Sequence, residues 1–259
     1  MQSANPPQEY PKTRVIVVIP TYNEASNIEK ITGDVLTQPA SVDILIVDDS
    51  SPDGTGALAD ALSAAPTSAG RVHVLHRTAK EGLGRAYLAG FAWALAAGYD
   101  AVVEMDADLS HDPLYLRSIV EAAKTADVVI GSRYLNGISV INWPLSRILL
   151  SWGANKYVRT VTGLTVNDCT SGYRLYHRRV LESLDLSSVR SNGYSFQVEM
   201  TFRAQLCGFS LVEVPIIFME RRAGQSKLSK GVVWESLLMP LKLRWHARAM
   251  RRRMSAQAM

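Results

Sequence analysis

Two carboxylates one residue apart, Asp106 and Asp108, are the side chains of this sequence best suited to chemistry. They stand directly behind the apolar run Ala101 to Met105, which is typical of a buried strand. Such a pair suits a hard divalent cation that prefers oxygen ligands and keeps water or phosphate oxygens as its others. The pair therefore indicates a metal–diphosphate site, although acidic pairs also serve as ordinary turn residues at strand ends.

Two more polar clusters follow predicted strands in the same way, Pro20 to Glu24 and Asp48 to Asp53. In open parallel sheets, ligands bind beyond the carboxyl ends of the strands. We therefore expect both clusters to share one site with Asp106 to Ser110.

Short β-branched runs alternate with amphipathic stretches along the first half of the chain. The predicted strands are Arg14 to Ile19, Val42 to Val47, Arg71 to Leu75, Ala101 to Met105 and Asp127 to Ile130. The predicted helices are Ile28 to Leu36, Gly56 to Leu62, Leu83 to Ala97 and Leu114 to Ala123. This alternation indicates an α/β fold, a mostly parallel sheet with helices on both faces. Ser26 and Glu29 have the spacing of a capping box for the first helix.

The second half of the chain is less regular. A polar connector, Ser132 to Asn142, precedes a predicted amphipathic helix from about Leu145 to Val161. A further helix is predicted from Ser195 to Leu206, followed by a strand from Leu211 to Phe218, in which Pro215 indicates an edge position.

The net charge of +4 is unevenly distributed. Residues 220–259 carry ten Lys and Arg against two Glu, a net charge of +8, whereas residues 1–219 carry 18 basic and 22 acidic side chains, a net charge of −4. Basic segments bind nucleic acid or phospholipid headgroups, and otherwise form a solvated helix face.

Apolar residues mark one side of a predicted helix in this basic segment, and Pro240 is expected to kink or interrupt it. They are Val232, Trp234, Leu237, Leu238, Leu241 and Trp245. Tryptophan beside a basic face is typical of a helix that lies on a membrane. We therefore expect residues 232–259 to be a C-terminal amphipathic basic membrane-surface helix and tail.

The remainder divides into a flexible N-terminal segment, residues 1–13, and a folded domain, residues 14–231. The N-terminal segment is polar and Pro-rich, without the apolar core of a signal peptide, and no run approaches the roughly 20 apolar residues of a membrane span. We therefore expect a cytoplasmic protein that associates peripherally with the cytoplasmic face of the membrane.

The strand-end clusters resemble the motifs of glycosyltransferase family 2. They read Pro20-Thr21-Tyr22-Asn23-Glu24, Val47-Asp48-Asp49-Ser50-Ser51-Pro52-Asp53-Gly54-Thr55 and Asp106-Ala107-Asp108-Leu109-Ser110-His111. Further matches are Lys80-Glu81-Gly82-Leu83-Gly84, Ser132-Arg133-Tyr134, Thr170-Ser171-Gly172-Tyr173-Arg174-Leu175, and Arg221 through Ser226-Lys227. The resemblance runs in the family's order from about Arg14 to Lys230 and is greatest to its dolichyl- and polyprenyl-phosphate mannosyltransferases.

The resemblance implies a GT-A fold, with a Rossmann-like sheet, over residues 14–231. It also implies inverting transfer of mannose from GDP-mannose to a polyprenyl or dolichyl monophosphate. Mg²⁺ or Mn²⁺ is the implied cofactor, with Asp106, Asp108 and Ser110 as its ligands. The implied substrate-binding positions are Pro20, Tyr22, Glu24, Val47, Asp49, Lys80, Asp106, Ala107, Asp108, Arg133, Arg147, Arg221 and Lys227. Catalytic roles fall to Asp108, Arg133 and Arg147.

These residue types suit that reaction. Cleavage of the sugar–diphosphate bond places charge on the leaving group, which a cation at Asp106 and Asp108 stabilises. The acceptor phosphate monoester has a second pKa of about 6, so near neutral pH it is largely a dianion and requires no general base. Arg133 and Arg147 are suited to hold it in line, because guanidinium groups fork onto phosphate oxygens.

Two other functions remain open on the sequence. One is transfer from UDP-glucose or another UDP-sugar to the same lipid phosphate. The other is a catalytically silent module that binds a membrane surface or nucleic acid, which both aspartates together with the basic residues argue against. We expect the partners to be the membrane surface and a separate membrane-anchoring protein, and no nucleic acid.

Several neighbours of these motifs have structural interpretations. Asp48 or Asp53 is expected to cap the following helix, and Asp112 before Pro113 to open a helix. Arg174 is expected to be a structural ion-pair partner.

Overall fold

The computed structural model describes residues 13–38, 40–220 and 237–247. Its strands are β1 (Val15–Thr21), β2 (Asp43–Asp48), β3 (Val72–His76), β4 (Ala101–Glu104), β5 (Val128–Ser132), β6 (Val140–Ile141), β7 (Arg174–His177), β8 (Leu211–Pro215) and β9 (Phe218–Met219). Its helices are α1 (Ile28–Leu36), α2 (Thr55–Ala64), α3 (Leu83–Ala96), α4 (Leu116–Ala122), α5 (Leu145–Thr162), α6 (Arg178–Ser183), α7 (Gly193–Leu206) and α8 (residues 237–247).

A seven-stranded sheet in the order β3-β2-β1-β4-β7-β5-β8 forms the centre of the domain. Every neighbouring pair is parallel except those of β7, which runs antiparallel to β4 and β5. A separate two-stranded sheet pairs β6 with β9. The predicted mostly parallel α/β architecture is confirmed.

Helices cover both faces of the large sheet because its strands bury side chains on both sides. On one face, Ile16 and Val18 of β1 belong to a core cluster with Phe91 of α3 and Phe196 of α7. On the other face, the alternate β1 residues pack in a cluster with α1 and α4. Continuous apolar strands of this kind are what a sheet buried on both sides requires.

Helix α3 lies unusually close to the sheet. A Cβ atom at Gly90 would stand 2.5 Å from Cγ1 of Val18 on β1, a separation that real Cβ contacts do not show. At Gly84, the second residue of α3, an added Cβ atom would stand 2.7 Å from the carbonyl oxygen of Ser191. Both glycines therefore permit close approach of backbones.

Three local predictions are wrong. Helix α1 has Asn27 rather than Ser26 at its cap position, and the Asn27 side chain donates to Glu24 instead of capping the helix. The strand predicted from Leu211 to Phe218 is divided into β8 and β9, which belong to different sheets. Strand β8 nevertheless forms an edge of the large sheet, as Pro215 indicated. The polar connector before α5 contains a strand, β6.

Candidate active site

Three loops at the carboxyl ends of adjacent strands form one side of the site. Strands β2, β1 and β4 are neighbours, and Pro20 and Val47 are paired across β1 and β2. Each following loop contains a non-glycine residue with positive φ: Asn23 (61°), Ser50 (55°) and Leu109 (63°). Left-handed backbone is costly for such residues, above all for leucine, and concentrates at functional sites.

The loops after β1 and β2 are held together by side chains of the Asp48 to Thr55 motif. Asp48 accepts hydrogen bonds from Thr21 (3.2 Å) and Ser51 (2.5 Å). Asp53 accepts from the backbone N–H groups of Ala25 and Thr55 at 3.1 Å. Neither aspartate caps α2, whose cap residue is Gly54 without a side-chain hydrogen bond. Both have a structural role instead, because their hydrogen bonds hold the two loops in place.

The next aspartate, Asp49, faces a cation that the sequence analysis overlooked. Arg77, at the carboxyl end of β3, donates to Asp49 at 2.6 Å and also pairs with Glu81. Burial raises the pKa of Asp49 despite this opposing pair with Arg77. Lys80 and Tyr22, both predicted to bind substrate, meet with the ammonium group 3.6 Å from the ring centre. Arg77 lies at a strand end like the other clusters, so the same rule identifies it.

The Asp106 loop is held by two neighbouring side chains. The backbone N–H of Asp106 donates to Nδ1 of His111 at 3.1 Å, and Tyr87 of α3 donates to Asp106 Oδ1 at 3.2 Å. The backbone N–H of Ser110 donates to Asp108 Oδ1 at 3.0 Å. These contacts fix both carboxylates of the motif at the end of β4.

The chemistry of this loop fits a cation that is shared with a ligand. Among the described residues no group of three or more His, Cys, Asp and Glu side chains is arranged to hold a metal. Asp106 and Asp108 could supply two carboxylates, which would leave further positions for phosphate and water oxygens, as Mg²⁺ usually requires. The buried hydroxyl of Ser110 has no hydrogen-bond partner within the described part of the chain, so its oxygen is available to a ligand.

A buried polar layer lies directly behind the motif. Burial raises the pKa of Glu104, the last residue of β4, to about 8, an effect that the charge of Arg174 only partly offsets. Arg174 is itself fully buried and donates to the carbonyl oxygens of Ser171, Cys169 and Gln197. These hydrogen bonds give Arg174 a structural role, although no salt bridge joins it to another described residue as the sequence analysis expected.

Arg133 is buried and already holds a carboxylate. Its Nε and Nη2 atoms each donate to Asp168 at 2.7 Å, and Nη2 also donates to Thr170 at 2.8 Å. Burial disfavours the charged form of Arg133, but the adjacent carboxylate of Asp168 outweighs this effect and raises the pKa of Arg133. The two guanidinium nitrogens predicted to bind a phosphate are therefore engaged by Asp168, and within the described residues Nη1 makes no hydrogen bond.

Arg147 is less tightly held. Its guanidinium group pairs with Glu220 and lies 4.0 Å from the centre of the Trp143 ring. Arg133 approaches the same ring at 5.6 Å. Trp143 therefore brings together the two arginines that the sequence analysis assigned to one phosphate.

Aromatic contacts join the arginines to the acidic motif. Phe218 of β9 packs edge-on against His111, with ring centres 5.6 Å apart, and against Trp143 at 5.5 Å. The Arg133 guanidinium carbon lies 5.5 Å from the same Phe218 ring. The small β6–β9 sheet thus places the arginine pair beside the Asp106 loop. Strand β6 was not predicted, and β9 was predicted only as the end of a longer strand.

The sequence analysis missed Arg77, Tyr87, Trp143, Asp168 and Phe218. All five act through contacts between elements distant in sequence, and only Arg77 follows a predicted strand. Of the predicted site residues, Arg221 and Lys227 lie outside the described residues. The remaining positions border the loops and the arginine pair described above, and Ala107 is buried within the motif.

Two helices near the arginines expose apolar side chains. Leu145, Leu149, Leu150 and Trp152 of α5 are exposed, as are Leu237, Leu238, Leu241 and Trp245 of α8. We call these eight residues the apolar patch. Tyr157 of α5 donates to the Leu237 carbonyl at 2.6 Å, which joins the two helices. The side chains of α8 that were predicted to face a membrane are exposed over residues 237–247, and Pro240 lies within this helix.

Within the described residues, no helix combines the length and apolar character needed to cross a bilayer. Helix α5 was predicted to be amphipathic, and of its residues only Asn155, Val158 and Thr162 are buried.

Comparison with known proteins places this site in a family. The family described as Glycosyl transferase family 2 matches residues 16–185, more than half of the chain. The chain belongs to this family of glycosyltransferases. It is 50% identical over 225 residues to the undecaprenyl-phosphate mannosyltransferase of Micrococcus luteus, covering 87% of this chain and 91% of that protein. It is 53% identical over 228 residues to the polyprenol monophosphomannose synthase of Mycolicibacterium smegmatis, covering 88% and 85% respectively.

Solved structures with a similar fold include glucosyl-3-phosphoglycerate synthase of Mycobacterium tuberculosis in complex with phosphoglyceric acid. That match has a TM-score of 0.64 at 19% identity and covers 89% of this chain and 80% of the other. The same enzyme in complex with Mn²⁺, UDP-glucose and phosphoglyceric acid matches with a TM-score of 0.62 at 18% identity, covering 89% and 80%. These matches confirm the GT-A fold.

Proposed function

We propose that this enzyme transfers mannose from GDP-mannose to a polyprenyl or dolichyl monophosphate, with inversion at the sugar carbon. The contact of Phe218 with both His111 and Trp143 carries the proposal, because it sets the acidic motif beside the arginine pair. An acidic motif suits a departing nucleoside diphosphate, and paired arginines suit an incoming phosphate. The names of the relatives support mannose and a polyprenyl phosphate as the transferred sugar and the acceptor.

On the donor side, the β1 and β2 loops would hold the nucleoside through Pro20, Tyr22, Glu24, Val47, Asp49 and Lys80. Asp106, Asp108 and Ser110 would hold Mg²⁺ or Mn²⁺, supported by the two carboxylates and the unpartnered Ser110 hydroxyl. When bound, the cation stabilises the charge that develops on the leaving diphosphate. Arg221 and Lys227 would add positive charge over the donor.

On the acceptor side, Arg133 and Arg147 would hold the lipid phosphate in line behind the sugar carbon. The incoming phosphate oxygen forms the new bond to that carbon as the bond to the diphosphate breaks, so the configuration inverts. Near neutral pH the acceptor is largely a dianion and needs no proton acceptor. Placing two anionic groups close together is the main task of the arginines, and orientation of this kind contributes strongly to rate.

The lipid acceptor requires contact with a membrane, and we propose that the apolar patch provides it. The patch adjoins Arg147, which lies on the same helix as Leu145 and Leu149. Its tryptophans and the basic residues Lys156, Lys242 and Arg244 suit an interface with anionic headgroups. Peripheral association with the cytoplasmic face, aided by a separate anchoring protein, follows as part of the proposal.

The test is sugar transfer by purified protein, with Mn²⁺, polyprenyl phosphate and radiolabelled GDP-mannose. We expect transfer by the native protein and its loss in Asp108→Ala, because one of the two cation-binding carboxylates is gone. Lys124→Ala, at a surface lysine paired with Glu121, is the control and should retain activity. Transfer from UDP-glucose but not from GDP-mannose would mean that the donor is a UDP-sugar. No transfer from either would favour a catalytically silent binding module.

A further inference from the structure

We propose that Tyr87 of α3 is a positioning residue for Asp106, fixing the carboxylate that the active site presents to a metal–diphosphate group. This inference rests on the proposed function, since it concerns the same site. The Tyr87 hydroxyl donates to Asp106 Oδ1 at 3.2 Å, and the opposite oxygen, Oδ2, lies 3.9 Å from His111 Nδ1. The carboxylate is therefore bounded on both sides.

The position of the Tyr87 hydroxyl is set by packing. Tyr87 is fully buried, and its ring stacks on Phe196 of α7 with centres 6.0 Å apart and planes at 7°. It also stacks on Phe91 at 6.1 Å. Gly84 and Gly90, three residues to either side, are the positions where α3 makes its closest backbone approaches. The helix, and with it the hydroxyl, has little freedom to move.

The hydroxyl also keeps its proton. A tyrosine hydroxyl has an ordinary pKa of about 10 and is protonated at neutral pH, and that of Tyr87 donates to Asp106 Oδ1. Tyr87 is therefore a hydrogen-bond donor throughout the neutral range, and Asp106 is the acceptor. A neutral donor holds the carboxylate in place without neutralising the charge that a cation needs.

The backbone of Asp106 is fixed separately. Its N–H group donates to His111 Nδ1, and the His111 ring stacks on Tyr173 with centres 5.1 Å apart. With the main chain held by His111 and the carboxylate by Tyr87, Asp106 is oriented before any ligand arrives. Outer partners of this kind typically contribute 10–100-fold to metal affinity.

The test is Tyr87→Phe, which removes one oxygen and keeps the ring stacking. Tyr99→Phe is a matched control, since Tyr99 is also buried and donates to an aspartate, Asp43, at 2.7 Å, next to the amino end of β4. Binding of Mn²⁺ in the presence of GDP is measured by the loss of the free-ion EPR signal. We expect 10–100-fold weaker Mn²⁺ binding in Tyr87→Phe and native binding in Tyr99→Phe.

Two further measurements separate the possible failures. GDP binding without metal should be unchanged in Tyr87→Phe, and thermal unfolding checks that both variants are folded. If Asp108→Ala weakens Mn²⁺ binding but Tyr87→Phe does not, the positioning role is wrong while the metal assignment stands. If Asp108→Ala leaves Mn²⁺ binding unchanged, the metal assignment fails and the role of Tyr87 fails with it.

Discussion

Replacing Leu145 by serine should weaken attachment of the enzyme to membranes. Leu145 opens α5 with 70% of its surface exposed. Complete burial of a leucine side chain is worth about 1.5–3 kcal/mol, so immersion of this exposed fraction contributes about 1–2 kcal/mol. Because 1.4 kcal/mol corresponds to tenfold in a binding constant, the variant should bind membranes about 5–30-fold more weakly.

The chain offers a matched control for this variant. Leu114, in the turn before α4, is 69% exposed and lies outside the apolar patch. Both variants lose the same chemical group from equally exposed positions, so solubility changes should be alike. Only Leu145→Ser should reduce co-sedimentation with phosphatidylglycerol vesicles.

The reasoning would be refuted by equal vesicle binding of the two variants at matched protein and lipid concentrations. Equal losses would mean that any exposed leucine contributes to nonspecific adsorption. No loss of vesicle binding in either variant would mean that α5 does not contact the membrane while the enzyme works. Thermal unfolding of both variants should match the native protein, since neither side chain contributes to the core.

Two predictions concern stability. Gly90→Ala should destabilise the fold by about 1–3 kcal/mol through overpacking against Val18. Gly33→Ala in α1 should stabilise it by about 0.5–1 kcal/mol, because the added Cβ meets nothing within 4 Å. Urea unfolding measures the free energy of unfolding of both variants. Asp168→Asn should cost about 3–5 kcal/mol because it leaves the buried charge of Arg133 uncompensated. Although burial opposes ionisation, Arg133 lowers the pKa of Asp168 below its ordinary value of 3.8. The native stability contributed by this pair is therefore present above about pH 4 and lost on acidification through the lower folded pKa, and Asp168→Asn should flatten that part of the stability–pH curve.

The first half of the fold was predictable because its signals are local. Apolar strands buried on both faces and helices such as Ile28–Leu36 were found at or near their observed bounds. The rule that ligands lie beyond strand ends selected the Asp106 loop. Strand order was not predictable, because β7 enters the sheet between β4 and β5 and is antiparallel to both. That placement depends on long-range pairing rather than on periodicity.

The partners of the site residues were harder to predict from the sequence than the site residues themselves. The family resemblance pointed to Arg133, but its bond to Asp168 joins positions 35 apart. Tyr87 has the pattern of an ordinary core residue, and only the fold shows that its hydroxyl reaches Asp106. The exposure of Leu145 and Leu149 was also missed. An amphipathic pattern predicts a helix with an apolar face, but it does not show whether protein or lipid covers that face.

The two arginines differ in what a phosphate must displace. Arg133 is buried, and moving it away from Asp168 would leave both charges unpaired in the protein interior, where an unpaired charge is strongly destabilising. Arg147 and Glu220 have side chains 24% and 36% exposed, so water can solvate the carboxylate when the pair separates, and partly exposed pairs contribute little. Arg147 can therefore exchange Glu220 for a phosphate at small cost while its guanidinium group stays on the Trp143 ring. In the proposed reaction, Arg133 would provide a fixed positive edge, and the adjustable contact with the acceptor would fall to Arg147.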